Sequence, residues 1–508
     1  MRSSCCSCFA SSCRACPEAG LSRRGFLAAA AGAALVPSAT LGAANPSDRQ
    51  KPIQQTLKVQ PVLVYEFYKR REATSWRPWG GILTEQDLAQ EKERIGGELK
   101  VMAASARFPL DVRPLATART VEEAAALAMG GQDATVLYGA GGNQKVLETL
   151  IAPNRWNLLF LRHRSGPAYL WYEIADPRLL RKTGDERTQA GMNIDDVVVD
   201  SHAEIALRLR GLYGLKNTLG KRIVAVGGAG GWGAGGKQAP EIARNLWKME
   251  IVIVPYPDLG ERIKRARGND TLVKRCAAEA DRYLKQKGTT LETKRDFVPK
   301  SFLLTEVFRD LLDEYKTDAI TINQCMGTIL GMSETTACLP LSLLNDDGYM
   351  AFCESDFVVI PSGVLLRYIS GKPVFLNDPT HPHDGVVTMA HCTAPRKTDG
   401  ERVDPARILT HYESDYGAAP KVEFRKGTPM TVIDPDFASK RWMGFLSEVI
   451  GNPFLNICRS QVDVAIKGNT GKLVDEMRGF HWMACHGDYV KETGYALRRV
   501  PIEWDCLG

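Results

Sequence analysis

No stretch of this chain supplies the roughly 20 consecutive apolar residues that a membrane-crossing helix needs, so a membrane protein built on such helices is not indicated. Charge of one sign is also missing. The formal net charge is only +6, and three of those charges come from the first 44 residues, where Arg2, Arg14, Arg23 and Arg24 face Glu18. Nothing in that balance calls for nucleic acid or an anionic membrane as partner. Paired cysteines are absent from the body of the chain. Cys276, Cys325, Cys338, Cys353, Cys392, Cys458, Cys485 and Cys506 are scattered without a Cys-x-x-Cys pair, which argues against a zinc ribbon and a dense disulfide framework. Isolated cysteines in apolar sequence read as core packing.

What is present is the composition of a soluble globular protein, 44% apolar and 24% charged over 508 residues. That length predicts roughly three domains. The N-terminus reads as a targeting segment. Ser22-Arg23-Arg24-Gly25-Phe26-Leu27 precedes an Ala-rich apolar run to Val36, and Gly42-Ala43-Ala44 offers small residues for cleavage before Asn45. The order of these parts predicts a twin-arginine signal over residues 1–44 and a periplasmic or extracellular product with no membrane anchor. Cys5, Cys6, Cys8, Cys13 and Cys16 all precede the arginine pair and would leave with the signal.

Short apolar strands then alternate with helical stretches, the pattern of α/β layering. Pro61–Tyr65 and Gln132–Tyr138 read as strands, and Val121–Met129 and Gln144–Leu150 as helices, within a first Rossmann-like α/β domain over 57–200. A second such domain, 201–369, opens with a helix at Glu204–Tyr213 and continues through strand Arg222–Val226, a glycine loop, helix Ala239–Met249 and strand Ile251–Pro255. The charged stretch Glu261–Lys300 reads as solvated helices. Beyond residue 370 the periodicity changes. Val386–Ala390, Lys421–Phe424, Thr431–Ile433 and Val462–Ile466 alternate or carry β-branched residues between Gly, Pro and Asp, predicting a mostly-β, barrel-like domain over 370–508.

Candidate chemistry concentrates between Phe352 and Cys392. Cys353-Glu354-Ser355-Asp356, Asn377-Asp378 and His391-Cys392 fall within about forty residues, mixing hard carboxylate ligands with imidazole as a divalent ion such as Mn²⁺, Mg²⁺ or Co²⁺ prefers. Glu354 and Asp378 are separated by a helix-like stretch, Val364–Ile369, so both can end neighbouring strands and meet at one ion. His391 closes another predicted strand, and Phe480-His481-Trp-Met-Ala-Cys-His486 adds two imidazoles. A second motif, Gly228-Ala-Gly230-Gly-Trp-Gly233, matches G-x-G-x-x-G after a strand. Gly235-Gly236 delays the helix, Trp232 crowds the turn and no acid closes the next strand, so a tight turn is the stronger reading than a dinucleotide site.

Leu339-Pro-Leu-Ser-Leu-Leu-Asn345-Asp-Asp-Gly348 running into Ala351-Phe-Cys-Glu354-Ser-Asp356, the strand ending at Asp378, and His391-Cys392 together resemble the L-fucose isomerase and L-arabinose isomerase superfamily. The resemblance is specific over about residues 320–400 and extends to Gly479–Asp488. It implies two Rossmann-like domains followed by a β-barrel, with the site at their junction and a homo-oligomeric assembly. It further implies that Glu354 and Asp378 bind Mn²⁺ and act as the proton-transferring pair, and that His481 and His391 fall where the family places histidine ligands. His391-Cys-Thr-Ala departs from the His-Cys-Gly of related proteins, which leaves the sugar open. The expected activity is aldose–ketose isomerisation through an enediolate. Two alternatives remain: an exported NAD(P)-dependent sugar oxidoreductase resting on Gly228, Gly230 and Gly233, and a catalytically silent carbohydrate-binding relative.

Overall fold

Strand β1 (Leu57–Val64) is buried along almost its whole length, as expected of a strand covered on both faces of a parallel sheet. In the computed structural model, which describes residues 54–69, 72–73, 81–127, 130–180 and 190–508, it is an interior strand of a six-stranded parallel sheet. Strands β2 (Leu110–Val112) and β3 (Ala116–Ala118) follow one another along one edge of it, while β4 (Ala134–Gly139), β5 (Trp156–Leu161) and β6 (Val197–Val199) extend the other. The expected twin-arginine segment, residues 1–44, lies outside the described residues. Among those residues no helix is long and apolar enough to cross a membrane.

The second layer is a four-stranded parallel sheet. It contains β7 (Arg222–Val226) and β8 (Glu250–Val254), and, after a strand β9 (Thr289–Leu291) that pairs elsewhere, β10 (Ala319–Ile322) and β11 (Met350–Cys353), in the order β11-β10-β7-β8. The third unit is antiparallel. Its strands are β12 (Val374–Pro379), β13 (Val386–His391), β16 (Pro429–Asp434), β17 (Arg441–Gly451), β18 (Ser460–Lys467) and β19 (Trp482–His486), with β14 (Ala406–Leu409) and β15 (Ala419–Val422) leaving the chain path between β13 and β16. The order β16-β19-β12-β13-β18-β17 is closed by pairing of β17 with β16, and β20 (Glu503–Cys506) adds in parallel to β17. The architecture is therefore α/β with Rossmann-like parallel sheets followed by a closed antiparallel barrel. Closure removes the free edges that an open antiparallel sheet would expose.

One expectation fails. Glu261–Lys300 is not a set of solvated helices alone, because Thr289–Leu291 forms β9 and pairs in parallel with β14, tying the second layer to the β unit. The helix Asp270–Leu284 also buries Leu272, Cys276, Ala280 and Tyr283, a 4-4-3 stripe that the surrounding charges mask in the sequence.

Helix–helix contact depends on two glycines. The helix His202–Thr218 brings Gly214 so close to the helix Ile360–Ser370 that a Cβ there would lie 2.3 Å from Ile369 Cγ1, and a Cβ on Gly211 would lie 2.7 Å from the Glu492 carbonyl oxygen. This close approach joins the first two layers to the C-terminal helix Val490–Leu497.

Candidate metal centre

The carboxyl ends of β7, β10 and β11 all leave the second sheet through left-handed backbone. Gly227 and Gly228 follow β7, Gln324 lies just past β10, and Glu354 (φ 65°) and Ser355 (φ 48°) follow β11. Left-handed conformation is unfavourable for non-glycine residues by roughly 1 kcal/mol or more each, so the turn at Glu354-Ser355 has to be held from outside. Ser355 N donates to Thr321 Oγ1 at 3.1 Å. On the other side Gly230 N donates to Ser355 O at 3.1 Å, and Phe357 N to Gly230 O at 3.0 Å. The glycine-rich loop is thus engaged in clamping this turn.

The barrel supplies the facing groups through its register. Asn377 of β12 pairs with Trp482 of β19, and continuing that antiparallel register by one residue sets Asp378 opposite His481. Asp378 also lies across from Ala390 of β13, the residue before His391. Strand pairing therefore brings together three side chains that are up to 103 positions apart in Asp378–His481.

The four groups meet around His481. Its Nε2 lies 3.1 Å from Asp378 Oδ1 and 3.5 Å from Glu354 Oε2, and His391 Nε2 lies 3.7 Å from Glu354 Oε1. Ligand atoms of Asp378, His391 and His481 lie within 4.8 Å of one another, as do those of Cys353, Glu354 and His391. Both imidazoles are buried, whereas the side chains of Glu354 and Asp378 keep 29% and 35% of their exposure. The carboxylates thus face solvent and the histidines form the floor. Neither Nε2 has an aligned hydrogen bond, although carboxylate oxygens stand close to both. Two imidazole nitrogens and two carboxylates around one point are a donor set that fits a divalent cation.

Asp356 was not anticipated as a site residue. It is fully buried, and its Oδ2 lies 2.7 Å from His481 Nδ1. With the Nδ1 proton donated there, a neutral His481 offers the Nε2 lone pair to the cluster, as metal-ligating histidines commonly do. Asp356 Oδ1 also accepts from Val358 N at 3.0 Å and Trp232 N at 3.3 Å. His391 is held similarly, with Nδ1 3.0 Å from Thr393 Oγ1.

Electrostatics follow from this arrangement. Burial works to raise the pKa of Glu354, but the nearby imidazoles of His391 and His481 outweigh it and hold the carboxyl well below its ordinary range. Burial disfavours a charged His481, yet Asp356, Asp378 and Glu354 together push its pKa up to about 11. His391 is raised as well, burial being outweighed by Glu354 and Asp378.

One detail of the expected geometry is corrected. Glu354 and Asp378 do not end neighbouring strands of one sheet, since β11 belongs to the parallel layer and β12 to the barrel; they converge across the junction of the two. His486 stands apart, at the far end of β19, where burial and Lys372 lower its pKa. Trp232 and Phe480 border the cluster. Their rings stack at 4.8 Å and 10°, and each meets His481 edge-on. A separate surface cleft of about 640 Å³, lined by Gln238, Glu241 and Lys440 among others, contains none of these residues. No family model and no curated protein matches this chain.

Proposed function

We propose that this protein is a metal-dependent aldose–ketose isomerase of the L-fucose isomerase and L-arabinose isomerase type, with Mn²⁺ as its metal. The observation that carries the reading is the convergence of Glu354 and Asp378 on His481 Nε2 at 3.5 and 3.1 Å, with both carboxylates still open to solvent. Glu354, Asp378, His391 and His481 would hold the ion. A bound divalent ion would supply the positive charge that stabilises an enediolate.

The chain's own residues then have a defined task. One carboxylate removes the proton from the carbon beside the carbonyl, and the other returns it to the adjacent carbon. Asp356 keeps His481 in the tautomer that leaves Nε2 free. Trp232 and Phe480 are 44% and 48% exposed beside the cluster, and offer aromatic surface for the apolar face of a sugar while the polar groups take its hydroxyls. The glycine loop is occupied in clamping the Glu354 turn, which favours the isomerase reading over a dinucleotide-dependent one.

The test is turnover of a panel of aldoses and ketoses in deuterium oxide with and without Mn²⁺, followed by NMR. The reading expects metal-dependent formation of the partner sugar. Replacing Glu354 by Gln, at nearly constant volume, should lower the rate by about 10²–10⁴-fold while the circular dichroism spectrum stays native. Wild-type rates in E354Q would refute it. Export through Arg23-Arg24 belongs to the same proposal. Sequencing the exported product should give Asn45 as first residue, and unchanged export of an R23K/R24K variant would contradict it.

A further inference from the structure

His391 and Cys392 are consecutive, yet they join different clusters. His391 belongs to the carboxylate centre, whereas Cys392 lies in a second group with Cys338 and His411, all three buried and with ligand atoms within 4.8 Å of one another. Cys458 packs against the same group, so that the thiols of Cys338 and Cys458 and the His411 ring all gather at Cys392. Four separate segments converge here. Cys338 begins the helix Cys338–Asp346 of the second layer, and Cys392 follows β13. His411 lies past β14, its backbone N–H donating to Tyr416 O at 2.8 Å. Cys458 precedes β18, with its carbonyl accepting from Gln461 Nε2 at 2.9 Å.

We propose that Cys338, Cys392, Cys458 and His411 form a structural zinc site, distinct from the carboxylate centre and independent of whether that centre isomerises sugars. Three soft sulfurs and one imidazole are a closed tetrahedral donor set of the kind Zn²⁺ takes. With Zn–S bonds of about 2.3 Å, tetrahedral sulfurs stand ~3.7 Å apart, so Cys338, Cys392 and His411, whose ligand atoms already lie within 4.8 Å of one another, need draw in by only about an ångström, with Cys458 packed beside them. Arg459 N donates to Cys392 Sγ at 3.4 Å, the sort of outer contact that supports a metal-bound thiolate. Plain core packing does not account for His411, whose Nδ1 is buried without a hydrogen-bond partner, an unfavourable situation if left unrelieved. A disulfide would satisfy two of the sulfurs and leave the third with that same imidazole. Bound zinc would clip the second layer to the barrel immediately behind His391.

The experiment uses the full chain purified without added metal. Elemental analysis should find one zinc per chain, retained through dialysis against EDTA that removes Mn²⁺. Both C458S and H411A should lose it, whereas E354Q and D378N should keep it. Replacement by Co²⁺ should give thiolate-to-cobalt charge-transfer absorption in the near ultraviolet that persists in C353S, which removes the one thiol beside the carboxylate centre. The proposal is overturned if the wild-type protein binds Co²⁺ without that absorption, if folded C458S and H411A retain zinc, or if E354Q loses it. Detection of a disulfide among Cys338, Cys392 and Cys458 by non-reducing peptide mapping would overturn it equally. Should either variant fail to fold, the C353S cobalt spectrum decides. Loss of sugar turnover with an intact cobalt–thiolate spectrum would count against the isomerase reading alone.

Discussion

Asp356 shows what a single residue contributes to this centre. Its carboxylate fixes His481 through Nδ1 and braces the loop that carries Trp232, so its effect on a metal is exerted through another side chain. D356N should weaken Mn²⁺ binding by about 10–100-fold while leaving the fold intact, as measured by calorimetric titration. Unchanged affinity would remove Asp356 from a positioning role. The same variant has a pH signature in the metal-free protein. The pKa of His481 rises from 6.5 to about 11 on folding, so its stabilisation is fully present below pH 6.5 and is lost as pH climbs through 11. Removing the Asp356 charge should make that decline shallower in melting temperature. At this scale the sequence was legible where chemistry is concentrated in short segments, as for Glu354, Asp378, His391 and His481. Asp356 stands only two residues from Glu354, but nothing in a lone sequence separates a buried orienting acid from an exposed one. The thiol cluster was illegible for another reason. Its members are 54, 19 and 47 positions apart along Cys338, Cys392, His411 and Cys458, and only strand pairing makes them neighbours.

The elements that aim the site are the turn after β11 and the helix His202–Thr218 that holds the layers together. Gly214 is unfavourable to a helix interior by about 1 kcal/mol relative to alanine, and its presence is explained by the 2.3 Å approach of Ile369. G214A should therefore destabilise the protein by ~1–3 kcal/mol through overpacking, whereas substitution at an exposed helical glycine would stabilise it. Denaturant unfolding decides the sign, and a stabilised G214A would mean that the two helices can separate freely at this point. Most elements were legible from periodicity, including Arg222–Val226 and Gln144–Leu150, because each carries its own apolar run between turn residues. Strand β9 was not, since Thr289–Leu291 is three residues long and gains its partner, β14, from more than a hundred positions away.

Across the whole molecule, the candidate centre lies at a junction of the parallel layer and the barrel. A parallel layer presents Glu354 from its carboxyl end, as open α/β sheets present ligand-binding groups, and a closed barrel presents Asp378 and His391 from β12 and β13 and His481 from just before β19. Neither half holds the full donor set. The α/β-then-β order was readable from the change in periodicity near residue 370. The crossing of sheets at the centre was not, because pairing between β12 and β19 depends on register rather than on local pattern. This arrangement makes His481, just before β19, the hub and His486, at the far end of that strand, a bystander. The direct measurement is calorimetric titration of Mn²⁺ into metal-stripped wild-type, H481A and H486A proteins. H481A should lose at least tenfold in affinity, about 1.4 kcal/mol, with a native circular dichroism spectrum, and H486A should bind as the wild type does. Equal affinity in folded H481A and wild-type protein would contradict a metal centre built around His481.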